Sequence, residues 1–160
     1  MTAAVAPRPR SCPTPAPVLG PARSDDAAAI VGLLAAARGA CLPLSRAEVR
    51  ARLAEFVVAR DPRGRVLGCA ALRREGAQAE LRCLAVSPAA RGLGLGRALV
   101  ALIRERAAGR ALFCVSRTPA FFEALGFRRL PAAAVPPRPG LAPGGSPRVA
   151  LIHPATCPER

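Results

Sequence analysis

Glu80-Leu81-Arg82-Cys83-Leu84-Ala85-Val86-Ser87-Pro88-Ala89-Ala90-Arg91-Gly92-Leu93-Gly94-Leu95-Gly96-Arg97-Ala98-Leu99 is the stretch on which the fold turns. An apolar run from Ala79 to Val86 reads as a strand, Ser87-Pro88 stops it, and Leu95, Leu99, Leu102 and Ile103 then recur at helical spacing. Between them, Arg91 to Arg97 lets the chain turn tightly and leaves backbone N–H groups exposed at a helix N-terminus. Unpaired donors and the helix dipole favour phosphate there. The loop is not a Walker A motif, because no Gly-Lys-Ser/Thr follows. It also fits the dinucleotide fingerprint poorly, since no acidic residue closes a neighbouring strand about 20 residues on. Taken alone, it is either an anion cradle or only a turn.

Upstream of this stretch, Ser24-Asp25-Asp26 can cap a helix carrying Ile30, Leu33, Leu34 and Ala37, which Gly39 would end. Ser45 with Glu48 forms a capping-box signature for a second helix from about Ser45 to Glu55. Phe56 to Ala59 and Val66 to Leu72 read as two strands around the turn Asp61-Pro62-Arg63-Gly64, a hairpin. Downstream, Ala111 to Val115 is a further strand, and Thr118-Pro119 opens a helix that ends near Leu125-Gly126. Helices alternating with strands in this order call for an α/β or α+β domain with helices over one sheet. Prolines mark its limits: six fall in residues 1–21, four in 22–130 and eight in 131–160. The expected organisation is a Pro-rich flexible extension over 1–21, a folded domain over 22–135 and a Pro-rich tail over 136–160 with a last strand at 149–152.

The run from Glu80 to Leu99 closely resembles the acetyl-CoA-binding core of the GNAT superfamily of N-acetyltransferases, whose signature is Arg/Gln-x-x-Gly-x-Gly/Ala. Phe121-Phe122-Glu123-Ala124-Leu125-Gly126-Phe127 looks like the late helix of that family and its Leu-Gly-Phe boundary. The resemblance implies a GNAT-like acyl-CoA N-acyltransferase fold, a mixed central sheet flanked by helices, with acetyl-CoA as co-substrate and no metal. It implies that the backbone of Leu84, Ala85 and Val86 binds the pantetheine arm like an added strand. The loop Arg91, Gly92, Leu93, Gly94, Leu95, Gly96 and Arg97 would cradle the pyrophosphate. Glu80-Leu81-x-Cys83-Leu84-Ala85-Val86, Val66 to Leu72 and Ser116-Arg117-Thr118 are most similar to the acetyltransferase domain of N-acetylglutamate synthases, short forms included. The Phe pair and Val135-Pro136 are similar as well to arsenic-resistance-type acetyltransferases.

Acetyl transfer needs an uncharged amine, polarisation of the thioester carbonyl and a means of stabilising the leaving thiolate. Glu80 is the candidate proton acceptor. The family often places a tyrosine as general acid at the position of Phe122, yet this chain has no tyrosine at all, which leaves solvent, backbone N–H groups or a hydroxyl such as Ser116. Arg82 and Arg117, near the expected strand ends, are candidates for an acceptor's carboxylates, with Cys83 beside them. On a regular strand, Arg82 would share a face with Glu80 and Leu84 and leave Cys83 on the other. A covalent acetyl-cysteine at Cys83 or Cys114 lacks an activating histidine in the sequence, so direct attack in a ternary complex is expected. The reading is transfer of acetyl to the amino group of a small amino acid, glutamate favoured. Its alternatives are another small-amine acetyltransferase and a non-catalytic acyl-CoA-binding protein.

Composition bounds the rest. The 160 residues carry a formal charge of +14, all of it from arginine since lysine is absent. Such a surface attracts polyanions at low salt, but without tyrosine, tryptophan or a localised stripe no specific nucleic-acid site is expected. The six cysteines, at 12, 41, 69, 83, 114 and 157, form no CxxC pair, and His153 is the only histidine, so buried thiols in a reducing compartment are expected rather than zinc. No apolar window is long enough for a membrane span, and no secretory signal pattern opens the chain, so the expected setting is cytoplasmic. A small amine or amino acid is the expected partner. The oligomeric state stays open, a homodimer included.

Overall fold

The hairpin at Asp61 forms as its turn chemistry requires. The Asp61 carboxylate accepts hydrogen bonds from the Arg63 and Arg65 amides at 3.0 and 2.8 Å, while Gly64 takes a left-handed φ of +80°. The computed structural model describes residues 16–37, 43–131 and 149–154. Its elements are β1 (Val18–Pro21), α1 (Ala27–Ala36), α2 (Arg46–Ala51), β2 (Phe56–Arg60), β3 (Val66–Glu75), β4 (Gln78–Val86), α3 (Leu95–Arg106), β5 (Ala111–Ser116), α4 (Pro119–Glu123), β6 (Arg128–Arg129) and β7 (Val149–His153).

The strands make one mixed sheet in the order β1-β2-β3-β4-β5-β7-β6. All pairings are antiparallel except β4 with β5, whose connection runs through α3. α3 buries Leu95, Leu99, Val100 and Ile103 against one face of the sheet, beside Val57, Ala70, Leu72, Leu81 and Leu112. On the other face α1 buries Ala27, Ile30 and Leu34 with Val49 of α2 and Phe56, Val58, Cys69, Ala71 and Ala85. The architecture is thus the mixed sheet flanked by helices that the sequence implies. Among the described residues no helix is long and apolar enough to cross a membrane.

The capping box at α2 is present: the Ser45 amide donates to Glu48 at 2.8 Å, and the Glu48 amide donates to the Ser45 hydroxyl at 3.2 Å. That helix stops at Ala51, and a 3₁₀ turn over Leu53–Glu55 completes the stretch expected to be helical. Residues Val18–Pro21, read as part of a loose extension, instead add an edge strand to β2. The edge is where proline is tolerated, because only one side of the strand carries ladder bonds. Buried Asp26 locks this corner, accepting from the Arg23 amide and from Arg60 of β2. β7 lies between β5 and β6. The expected helix end at Gly39, the bulk of both Pro-rich ends and Cys12, Cys41 and Cys157 lie outside the described residues.

Candidate active site

β4 and β5 pair only over the first four residues of each. Their parallel register runs from Gln78 opposite Ala111 to Leu81 opposite Cys114, after which β4 continues to Val86 and β5 to Ser116. The departure coincides with a bulge in β4. Ala71 of β3 faces Arg82 and Cys69 faces Ala85, so Cys83 and Leu84 together oppose Ala70. Cys83 takes φ of +54°, a left-handed conformation that is strained for a residue with a side chain.

The bulge corrects the expected facing of side chains. Past it the alternation slips by one, so that Cys83 packs with the α1 side of the sheet and Leu84 with the α3 side. Leu84 therefore does not share a face with Glu80 and Arg82. Cys83 is partly buried, and that burial, opposed by the Arg82 charge and aided by Glu80, pushes its thiol pKa up. It is the opposite of an activated nucleophile.

Between the parting strands lies a cavity of about 100 Å³. Leu81, Arg82, Cys83 and Leu84 form its β4 wall, while Val115 and Ser116 of β5 with Thr118, Phe121 and Phe122 form the other. Of the residues singled out in the sequence, Arg82, Cys83, Leu84, Cys114, Ser116 and Phe122 meet here. Glu80 is buried one step away, in the paired part of β4, where its carboxylate lies 3.5 Å from the Arg82 guanidinium. Arg117 is exposed just beyond β5, and Ala85 and Val86 continue β4 past the cavity. Phe122, where a tyrosine was looked for, is buried edge-to-face between Phe121 and Phe127 with ring centroids at 5.0 and 5.4 Å. Thr118 and Phe121 were not singled out in the sequence. The Thr-Pro pair reads as a helix start and the Phe pair as core, so neither announces a cavity wall.

The glycine loop lies where β4 hands over to α3. Gly92 and Gly94 adopt φ of +78° and +76°, and a Cβ built on either meets no atom within 4 Å. The first helical bond of α3 is Ala98 N–H to Gly94 C=O at 3.0 Å, so the amides of Leu95, Gly96 and Arg97 precede the intrahelical ladder. A row of such amides, next to the open glycines Gly92 and Gly94, suits an anion such as a pyrophosphate. Arg91 and Arg97 are exposed beside it, as is Leu93, whereas the Leu95 side chain is buried in the core and leaves only its backbone for a ligand. Gly96 joins loop to cavity: a Cβ there would sit 3.3 Å from the Phe121 ring.

Comparison with known proteins decides the family. The family model described as Acetyltransferase (GNAT) domain matches residues 52–129. Rv2747 from Mycobacterium tuberculosis, solved with CoA and NLQ, is 31% identical over 74% of this chain and 76% of its own, at a TM-score of 0.70. The chain belongs to the GNAT acetyltransferases. N-acetylglutamate synthase from Neisseria gonorrhoeae, solved with coenzyme A and N-acetyl-glutamate, is 27% identical with a TM-score of 0.75; the match covers 86% of this chain but 34% of the synthase. This GNAT chain thus spans about a third of that relative. The phosphinothricin acetyltransferase of Sinorhizobium meliloti, solved with AcCoA, shares the fold at 24% identity and a TM-score of 0.68, covering 88% of this chain and 89% of its own. As a GNAT enzyme the protein is an acetyl-CoA-dependent N-acetyltransferase with acetyl-CoA as its co-substrate.

Proposed function

We propose that this enzyme acetylates the amino group of a small amino acid, with glutamate the favoured acceptor, by direct attack in a ternary complex. The observation that carries the reading is the partly buried Arg82 on the cavity wall, held 3.5 Å from the buried carboxylate of Glu80. A fixed cation recognises a carboxylate, and a carboxylate beside it accepts the proton that an ammonium must lose before attack. Similarity to a synthase solved with N-acetyl-glutamate supports the same acceptor class. Arg117 takes the second carboxylate, and Cys83 lines the acceptor side.

On the donor side, the loop Arg91–Arg97 holds the pyrophosphate. The strand edge Leu84–Val86 holds the pantetheine arm, and the thioester reaches the cavity beside Ser116. The bound acyl donor supplies an electrophilic carbonyl carbon. The chain's own residues orient it, exclude water with Leu84, Phe121 and Phe122, and move the acceptor's proton through Glu80. The test is thiol release from acetyl-CoA with glutamate, glutamine, aspartate, other amino acids and simple amines. Glutamate should give the highest kcat/KM, and Arg117→Ala should raise KM for glutamate about tenfold or more while leaving KM for acetyl-CoA in place. Equal rates across the panel would sink the glutamate assignment, and an unchanged KM in Arg117→Ala would remove that arginine from it.

A further inference from the structure

We propose that Phe121 sets the length of the acyl group this enzyme takes from its CoA donor, admitting acetyl and excluding longer chains, and that Gly96 fixes where its ring stands. The inference rests on the reading that places the thioester in the cavity between β4 and β5, and it names which acyl donors that cavity accepts.

Gly96 is a glycine for a reason other than backbone freedom. It lies in the first turn of α3 without the left-handed φ of Gly92 and Gly94, and alanine is the better helix former. What an alanine would meet there is an aromatic ring. A Cβ on Gly96 would sit 3.3 Å from Cζ and 3.6 Å from Cε2 of Phe121, and 3.9 Å from a methyl group of Val86, the last residue of β4. A second element braces the same ring, which stands edge-to-face against the buried Phe122 with centroids 5.0 Å apart. Phe121 is nonetheless only partly buried, and it lines the cavity on the wall opposite Leu81 and Leu84.

The cavity is small. Its volume of about 100 Å³ is the liquid share of about three waters at about 30 Å³ each. Part of its wall is polar, since Arg82, Ser116 and Thr118 also line it, and an alkyl chain gains nothing there. An acetyl group fits such a space, whereas butyryl, longer by two methylenes, requires a wall side chain to yield. A side chain with free rotamers would swing aside. The Phe121 ring, close to Gly96 on one side and stacked on Phe122 on another, has no such freedom. The same packing ties the cavity to the glycine loop. A contact of 3.3 Å is tighter than the ordinary carbon separation of about 3.5–4.0 Å, so Gly96→Ala pushes the ring by a few tenths of an ångström toward the space still open to it, the cavity.

The experiment is calorimetric binding of CoA, acetyl-CoA, propionyl-CoA and butyryl-CoA to the full chain with no amine present. The same titrations follow on Phe121→Leu, Phe121→Ala, Gly96→Ala and the double variant Gly96→Ala/Phe121→Leu. CoA itself is the reference in each variant, which cancels any change in the pyrophosphate cradle. The wild type should lose about tenfold or more in affinity for each methylene added to acetyl. Phe121→Leu should narrow that gap and Phe121→Ala should narrow it further. Gly96→Ala should widen it, and the double variant should bring it back toward the wild type, a coupling that a merely structural role of the ring would not produce. A wild type that binds CoA but holds all three acyl-CoAs alike overturns the inference and leaves the donor-side reading standing. So does a gap that persists in both Phe121 variants. A loss in Gly96→Ala shared equally by all four ligands overturns the link between loop and ring. Failure to bind CoA at all overturns both the inference and the reading beneath it.

Discussion

Cys83, on the cavity wall, is where β4 departs furthest from a regular strand. Its left-handed φ of +54° sits in the bulge against β3, where β4 and β5 also part, and the slip carries its side chain to the α1 face beside Glu80 and Arg82. Burial raises its pKa because the thiolate is the form that loses solvation. A folded pKa above the unfolded one means the native state keeps a proton that the unfolded chain has released. The stability that this contributes is therefore present below the unfolded thiol's pKa and is lost as pH rises through the folded value. Alkylation by iodoacetamide, followed residue by residue by mass spectrometry, should show Cys83 reacting along a pH profile displaced upward from that of the urea-unfolded chain. A profile displaced downward would mean an activated thiolate and would reopen the acetyl-cysteine route. Glycine at the same position would relieve the φ, so Cys83→Gly should cost little stability from backbone strain while removing the side chain from the cavity wall.

At the scale of the element, two glycines answer the same substitution for different reasons. Gly94 caps α3 at φ of +76° with open space around it, so Gly94→Ala strains the backbone by about 1–2 kcal/mol and turns the amides of the cradle. CoA affinity should fall with only a modest drop in Tm. Gly68 has an ordinary φ, but a Cβ there would lie 3.1 Å from the Ala85 carbonyl and 3.1 Å from Leu99, where β3, β4 and α3 meet. Gly68→Ala should therefore cost about 1–3 kcal/mol by overpacking, read by thermal unfolding. Equal Tm losses in the two variants would contradict this division. The sequence makes the first glycine legible and hides the second, since a Gly-rich loop before a helical repeat has a local signature whereas close approach between elements has none. The same divide runs through the fold. The Asp61 hairpin, the capping box and α3 are written locally, in turn residues and periodicity. The edge strand Val18–Pro21, the pairing of β7 between β5 and β6, and the one-residue slip at Cys83 exist only through tertiary partners. For the site, loop and strand were readable, but Thr118 and Phe121 reach the cavity wall only through the fold, one reading locally as a helix start and the other as core.

Across the whole molecule 24 basic residues face 10 acidic ones, and the described ion pairs engage Arg60, Arg65, Arg73, Arg82 and Arg129. The remaining arginines are spread over several elements, with Arg91 and Arg97 at the glycine loop, Arg104 and Arg106 at the end of α3 and Arg128 on β6. A field this diffuse draws any polyanion by counterion release, and affinity so gained falls by about 10³–10⁵ between 50 and 200 mM salt when six to ten phosphates are contacted. CoA would meet a different surface under the proposed reading, because the amides of Leu95 to Arg97 precede the helical ladder of α3 and, held at fixed positions, would bind a pyrophosphate without the counterion release that a diffuse arginine field brings. Titrations of duplex DNA and of CoA against salt should therefore diverge, with DNA binding lost steeply and without sequence preference while CoA binding declines by a much smaller factor. Excess CoA should leave the residual DNA affinity at low salt largely in place, since the DNA draws on arginines well beyond the loop. DNA binding that survives high salt, or that distinguishes sequences, would assign the arginine excess to a nucleic-acid site and not to a general property of the surface.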